Sequence, residues 1–459
     1  MARRARTGRK PTRAERRPGP QPRAHEPRGL PRAHEPRELP GAPIAAAAQA
    51  APRPWPRWLE GLPLALALLV VLRVVLGAVA VIAVNVAPRA GVVHGNWEEL
   101  VITGGEPWSE LLSTWQRWDA LWYQHIVEQG YRAADGSTAF FPLYPLLSKV
   151  VSLPIGGNVV LAELIVSSAA FVVALWLLFR LTRLERDRSA ERRDLRRRGA
   201  AVQPAGPIGA ATLTVLAMAL FPTAFFLLAP FTESVFLMLA VASFYFARTG
   251  RPWLAGGAGF LASLSRTQGV FLAVPIAYEE WRRRRRGSVG LPLGAFAGLL
   301  PVVGIAAFYA FQRVALGEQR SGVDSLAMWG YQIASPVDAL SASIEHILVG
   351  GARGNAWQIE LINLVSLLAF AGLAVWAARR LPRAYTLYTV PSLGLLFARE
   401  MYLSPLMSVS RYVLVIFPCF MVAALWLERR PWLAAAWLVA SALLLVVLTQ
   451  FFARWGFVA

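Results

Sequence analysis

Long apolar runs, separated by short basic segments or by stretches rich in aromatic residues, set the pattern of this chain. The first run spans about Leu62 to Val86, and at about 1.5 Å per residue it is long enough to cross a hydrocarbon core of about 30 Å. The next stretch, residues 87–158, is too polar to be another crossing and reads as an extracytoplasmic loop. Inside it Phe140 to Leu153 is apolar but short and broken by Pro142, Pro145 and Pro154, which suits a segment lying in the membrane interface. A second crossing is Val159 to Leu181, and it enters the basic run RLERDRSAERRDLRRR at Arg183 to Arg198.

The pattern then predicts Ile208 to Ala229 going out, a short outer turn at Ala229 to Ser234, and a return over Val235 to Ala247. Trp253 to Tyr278 has the length of one helix, but a single crossing there would put the five arginines of WRRRRRG outside, against the positive-inside rule. Two short helices, Trp253 to Leu264 and Val270 to Trp281, meeting at SRTQG near the outer surface, remove the conflict. Broken helices are tolerated only where protein or an aqueous cavity satisfies the freed backbone, so this topology places Arg266 in a cavity. The later crossings are Val289 to Val314, Trp357 to Ala378, Tyr385 to Ala398, Ser408 to Leu427 and Trp432 to Phe452. A second outer loop, residues 315–356, is positioned to cover a site built by the first. The expected fold is all-α and polytopic, with about eleven transmembrane helices over residues 61–459.

Composition supports this. Of 459 residues, 56% are hydrophobic and 16% charged, and the mean hydropathy is +0.45, outside the range of a soluble domain. A net charge of +20 would suggest nucleic acid in a soluble protein. Here the arginines gather in the first 60 residues and between apolar spans, so they orient the chain and no nucleic-acid partner is implied. Residues 1–60 carry 14 basic and 5 acidic side chains and read as a disordered cytoplasmic tail attracted to anionic membrane lipids. The tail repeats PRAHEPR at Pro22 to Arg28 and Pro31 to Arg37, too few copies for a solenoid, and it lacks a cleavable signal pattern. Lys10 and Lys149 are the only lysines, and neither follows a glycine-rich turn, which excludes a P-loop. A single cysteine, Cys419, excludes a disulfide framework, and scattered histidines exclude an imidazole metal centre.

Ionisable groups at membrane depth cost about 2.5 to 3.5 kcal/mol on insertion scales, so those retained tend to carry a role. On the outer side these are Arg117, Asp119, His125, Glu128, Glu233, Arg266, Arg399, Glu400 and Arg411, with Glu163 just inside the second span. Asp119 stands out, set among Trp118, Trp122 and Tyr123 on a helical-period segment. It is either the cap of that helix or a general base that takes a proton from an acceptor hydroxyl. Arg266 is either paired with Glu233 or Asp119, or a bidentate ligand for phosphate, with Arg411 a second candidate cation. Gln268, in the same turn as Arg266, joins Glu233 in the candidate pocket. His125 and Glu128 fit surface or supporting positions. Trp118, Trp122, Tyr123 and Tyr131 belong to an interfacial aromatic belt or form platforms for a sugar.

The chain has no DxD motif for a metal and a nucleotide diphosphate, and no GxGxxG opening a nucleotide fold. An enzyme of this shape working outside the membrane needs a donor other than a nucleotide, and a lipid-linked phosphate sugar meets that condition. No cofactor is required, although an acid pair such as Asp119 with Glu233 has the charge to hold a divalent metal. A transporter or lipid flippase would also use broken helices and buried charges, but no inverted repeat relates the two halves. A noncatalytic partner subunit is the remaining alternative.

WDALWYQHIVEQGY followed by AFFPLYP resembles the first luminal loop of the PIG-V type mannosyltransferases, which add the second mannose in GPI-anchor assembly, and of their bacterial relatives. The resemblance continues through FPTAFFLLAPFTESVF at Phe221 to Phe236 and SLSRTQG at Ser263 to Gly269, and more weakly through SRYV at Ser410 to Val413. It implies a GT-C glycosyltransferase fold with its site on the extracytoplasmic face and a polyprenyl-phosphate sugar, usually mannose, as donor. Asp119 then matches the family's loop acid, Glu233 the acid of its ES pair and Arg266 the arginine of its later turn. The arginine-rich tail and the run at Arg183 to Arg198 have no counterpart in that family. Arginine-heavy, lysine-poor composition points to a bacterial plasma membrane, where GPI is absent and the acceptor must differ.

Overall fold

The computed structural model describes residues 56–90, 100–102, 107–133, 135–196, 208–285, 292–318, 327–350, 357–402 and 404–458. The tail predicted over residues 1–60 lies almost wholly outside them. The described chain is helical apart from one two-stranded ribbon.

Helix α1 (Leu62–Val86) is the first predicted crossing. Its arginine, Arg73, has no carboxylate partner among the described residues; it donates to Ser168 Oγ at 2.7 Å and to the carbonyls of Leu164 and Leu228 at 3.1 and 2.7 Å. A guanidinium inside a span is tolerated because its donors are used on protein oxygens, one of them the Leu228 carbonyl at the end of a 3-10 turn. The first loop carries α2 (Pro107–Ser113), α3 (Asp119–Gln129) and α4 (Leu143–Ser152). In and just after α4, Leu146, Val150 and Leu153 are exposed in an i, i+4, i+7 row, the amphipathic form expected of an interfacial helix.

Helix α5 (Val159–Arg196) runs through the second predicted span and continues unbroken into the basic run. The expected outward crossing at Ile208 to Ala229 is different: only α6 (Ala210–Ala219) is α-helical there, followed by turns and a 3-10 segment at Ala224–Leu227. Ten residues reach about 15 Å, half a hydrocarbon core. The supposed outer turn is also no surface feature, because Phe231, Thr232, Glu233 and Ser234 are buried. Helix α7 (Glu233–Arg248) then packs against α5 and against α8 (Pro252–Ser263).

The predicted break at SRTQG is present. Helix α8 stops at Ser263, Arg266 is extended at φ −159° and ψ 151°, and a 3-10 turn at Thr267–Leu272 leads into α9 (Ala273–Arg284). A Cβ on Gly269 would lie 2.3 Å from the Ser263 backbone nitrogen, so only glycine lets the two halves close this tightly. After α10 (Leu300–Ala315) come α11 (Pro336–Gly350), α12 (Trp357–Arg380) and α13 (Arg383–Phe397). Strand β1 (Tyr331–Ile333) pairs antiparallel with β2 (Arg399–Met401), with Ile333 opposite Arg399. The predicted crossing Ser408 to Leu427 is bent by 79° between Val409–Val415 and Phe417–Leu427; these are α14 (Val409–Tyr412) with a 3-10 turn, then α15 (Phe417–Leu427). Helix α16 (Pro431–Ala453) closes the chain.

Five described helices are long and apolar enough to cross a membrane, or six if the bent pair counts as one span. The eleven-span count is therefore not reproduced, since it gave half-length elements such as α6 and α8 the status of crossings. With α1, α5 and α16 among the helices of crossing length and exposed Val and Leu along α1 and α16, the protein is an integral membrane protein.

Candidate active site

The chain enters α3 through a strained residue. Trp118 holds φ 57° and ψ −118°, a left-handed backbone that costs a non-glycine residue about 1 to 3 kcal/mol. Packing enforces it: the Trp118 ring meets Trp455 and Phe457 edge-on at 5.9 and 4.9 Å. Buried Arg117 donates through Nε to the Ala453 carbonyl at 2.8 Å and lies 4.5 Å from the Trp455 ring. The C-terminal end of α16 thus clamps the residues before Asp119. Trp118 is the helix N-cap and Asp119 the first helical residue, so the carboxylate is not the cap that one sequence reading allowed. Its Oδ2 instead accepts from Arg411 Nη1 at 2.7 Å, with 32% of the Asp119 side chain exposed.

A chain of alternating charge continues inward. Arg411 Nε donates to Glu233 Oε1, and Arg266 Nη1 donates to the same oxygen at 2.5 Å. Arg266 is held further by Thr232 Oγ1 and Gln268 Oε1, each at 3.1 Å. The structure therefore brings Asp119, Arg411, Glu233, Arg266 and Gln268 into one cluster from four separate parts of the sequence. Among the described groups, Nη2 of Arg266 and Nη2 of Arg411 form no hydrogen bond to protein. Arg411 lies between the two acids, so the space that a shared divalent metal would need holds a guanidinium.

Three guanidiniums surround one ring: Arg399, Arg266 and Arg411 lie 4.0, 4.8 and 5.5 Å from the centroid of Tyr412. Three cations against two anions leave a formal surplus of one positive charge. Sequence reasoning placed Arg399 on the outer side without making it a site residue and passed over Tyr412, although Tyr412 lies inside the SRYV motif beside Arg411.

The aromatic candidates divide. Tyr123 packs beside Phe140 and Tyr144 at 5.2 and 5.0 Å. Burial, and after it the Asp119 carboxylate, pushes its hydroxyl well above its ordinary pKa, so it stays a neutral group beside that carboxylate. Trp122 stacks on Phe140 at 5.5 Å and meets Trp329, from the second loop, at 5.1 Å. Tyr131 points elsewhere: its hydroxyl donates to the Phe140 carbonyl at 2.9 Å and its ring packs on Phe308 and Phe311 of α10. Trp118 is engaged by the C-terminal segment. Of the supporting candidates, Glu128 is exposed as expected, but His125 is fully buried, with Nε2 3.6 Å from Asp135 Oδ2. Helix periodicity places His125 and Glu128 one turn apart and does not show which side α4 and the loop will cover.

Residues without a sequence signal hold the Arg411 turn. Buried Glu360 accepts from the Leu406 amide at 3.0 Å and from Ser404 Oγ at 2.5 Å. Asn363 Oδ1 accepts from the Ser410 amide at 2.9 Å.

A partly exposed carboxylate beside a cluster of aromatic rings, backed by arginines inside a membrane protein, has the chemical groups that transfer from an anionic donor calls for. That class is borne out by sequence comparison: the chain belongs to glycosyltransferase family 87, whose family model matches residues 141–408. It is thus a membrane glycosyltransferase. Glu233, Arg266 and Arg399 fall within the match, while Asp119 precedes it and Arg411 lies three residues beyond its end. No curated protein matches the chain. Among solved structures, the Archaeoglobus fulgidus oligosaccharyltransferase tethered to an acceptor peptide is similar at 13% identity and a TM-score of 0.39, over 88% of this chain and 56% of that one. The same enzyme with zinc and sulfate gives 14% identity and 0.36 over 85% and 53%, and with an inhibitory peptide and dolichol-phosphate 12% and 0.37 over 85% and 55%. The chain spans little more than half the length of that enzyme.

Proposed function

We propose that the protein transfers a sugar, with inversion, from a polyprenyl-phosphate donor to an acceptor hydroxyl, as a GT-C type enzyme working on the extracytoplasmic face of the plasma membrane. The observation that carries this reading is the chain Asp119, Arg411, Glu233, Arg266, in which one acid is open and the cations behind it keep unused donors. Asp119 Oδ2 is bound to Arg411, and its other oxygen takes the proton of the acceptor hydroxyl as that oxygen attacks the anomeric carbon. The bond between that carbon and the phosphate oxygen breaks, and the phosphate leaves with one more negative charge than it carried in the diester. Arg411 and Arg266 face that growing charge, a kind of contribution worth about 3 to 4 kcal/mol per well-placed donor. Glu233 and Gln268 hold the two guanidiniums in place. The surplus of one positive charge matches a phosphodiester donor, which carries a single negative charge, better than a diphosphate.

The half-buried rings of Trp122 and Trp329, 5.1 Å apart, suit the apolar face of a sugar ring, with buried Tyr123 behind them. Mannose as that sugar rests on the likeness of the WDALWYQHIVEQGY and AFFPLYP segments to PIG-V type enzymes. The test incubates membranes containing the wild-type protein or Asp119→Asn with labelled polyprenyl-phosphate mannose. Transfer by the wild type and its loss in the variant is the expected result; equal transfer by a correctly inserted Asp119→Asn protein removes the general-base role.

A further inference from the structure

Arg399 opens β2 and is fixed from two sides, its guanidinium carbon 4.0 Å from the Tyr412 ring and 5.2 Å from the Tyr331 ring. No carboxylate pairs with it among the described residues, and its Nε and Nη2 are buried without a hydrogen-bond partner. Stacking on two rings orients the group but supplies no acceptor for either N–H. Charged donors left buried and unbonded are costlier than neutral ones, which suits this edge to an acceptor from outside the protein.

The two free nitrogens are adjacent. Nε–H and the N–H of Nη2 lie along the same edge of the planar group and point the same way, the fork that accepts two oxygens of one phosphate. Arg266 and Arg411 share the Tyr412 ring with Arg399, but each is already paired with a carboxylate. The formal surplus charge of the cluster is consequently that of Arg399.

We propose that Arg399 is the principal phosphate-binding residue of the site, gripping two oxygens of a prenyl phosphate through its Nε and Nη2 edge. The inference rests on the lipid-phosphate donor reading and adds the residue that discriminates for it. The β1–β2 ribbon sets this residue beside the second loop, with Ile333 opposite it and Tyr331 against its face.

Purified full-length protein in detergent tests this with farnesyl phosphate and inorganic phosphate as separate titrants, comparing wild type, Arg399→Gln, Arg399→Lys and, as a neighbouring control, Glu400→Gln. Farnesyl phosphate should bind the wild type and Glu400→Gln alike, Arg399→Lys more weakly and Arg399→Gln at least tenfold more weakly; inorganic phosphate should bind far more weakly to all. Arg399→Lys keeps the charge without the fork, so it carries the test if the glutamine variant does not fold. Farnesyl phosphate bound equally by wild type and both Arg399 variants overturns the proposal, and inorganic phosphate bound as tightly as farnesyl phosphate overturns its lipid part. Sugar transfer measured in parallel keeps the two ideas apart. Wild-type transfer with unchanged binding in the variants counts against Arg399 alone, whereas Arg399-dependent binding without wild-type transfer counts against the donor reading alone.

Discussion

Helix α7 carries an acid at its first residue and a base at its last, and the two ends are built differently. Its C-terminal Arg248 uses every edge of its guanidinium: Nε and Nη2 grip the two oxygens of Glu185 at 2.5 and 2.9 Å, and Nη1 donates to Glu279 Oε2 at 2.8 Å. Tyr385 adds its hydroxyl to Glu185 at 3.1 Å, and Arg282 adds to Glu279 at 2.6 Å. Its N-terminal Glu233 instead holds two arginines through a single oxygen, beside a third arginine with no acid among the described residues and a partly exposed aspartate. Both placements favour the helix dipole, acid at the start and base at the end. The difference is in what remains unbonded. A cation bonded on all edges holds helices together; cations with donors left over still have N–H groups to offer a ligand.

Two substitutions with opposite signatures separate these ends most strongly. Asp119→Asn should lower sugar transfer about a thousandfold, within the 10²–10⁴ range of a general base, while the unfolding temperature stays within a degree or two of wild type. Arg248→Met should do the reverse. Removing one partner of a buried ion pair costs about 3 to 5 kcal/mol, so the yield of folded protein should collapse, with transfer per folded molecule retained. If Arg248→Met folds normally and loses transfer, the two ends are not functionally distinct. Glu233→Gln is intermediate: it frees Arg266 and Arg411 and should lower transfer about a hundredfold with a modest fall in thermal stability, both read on one preparation. Tyr385→Phe is the smallest, expected to cost about 1 kcal/mol through one hydrogen bond and to leave transfer unchanged.

What the sequence shows differs between these ends for the same reason. The break at SRTQG is legible because five arginines on the wrong side of a membrane would be costly, and that forced Arg266 into the interior. Asp119, Glu233 and Arg411 stand out because acids and bases are rare beside long apolar runs. Arg73 does not, since one arginine in an otherwise apolar span leaves the hydropathy of that span intact; its three oxygen partners come from two other elements. Nor do Glu360 and Asn363, whose roles lie in amides some 47 residues away. The Ile208 to Ala229 crossing failed because hydropathy measures apolar content and not continuity. FPTAFFLLAP is as apolar as a span, yet it is wound into turns buried by neighbouring helices, where its carbonyls find partners such as Arg73.

Residence in a membrane, a helical fold and a small set of charged residues retained beside aromatic ones are all readable from the order of amino acids. They depend on local quantities: apolar length against bilayer thickness, and the cost of charge at depth. Three-dimensional packing was needed to show which of those charges meet, that Asp119 is the start of its helix and bonded to Arg411, and that Arg399 has no acid paired with it among the described residues. Pairing depends on where distant segments come together in space, and the energy of a buried charge is set by its partners rather than by its neighbours along the chain.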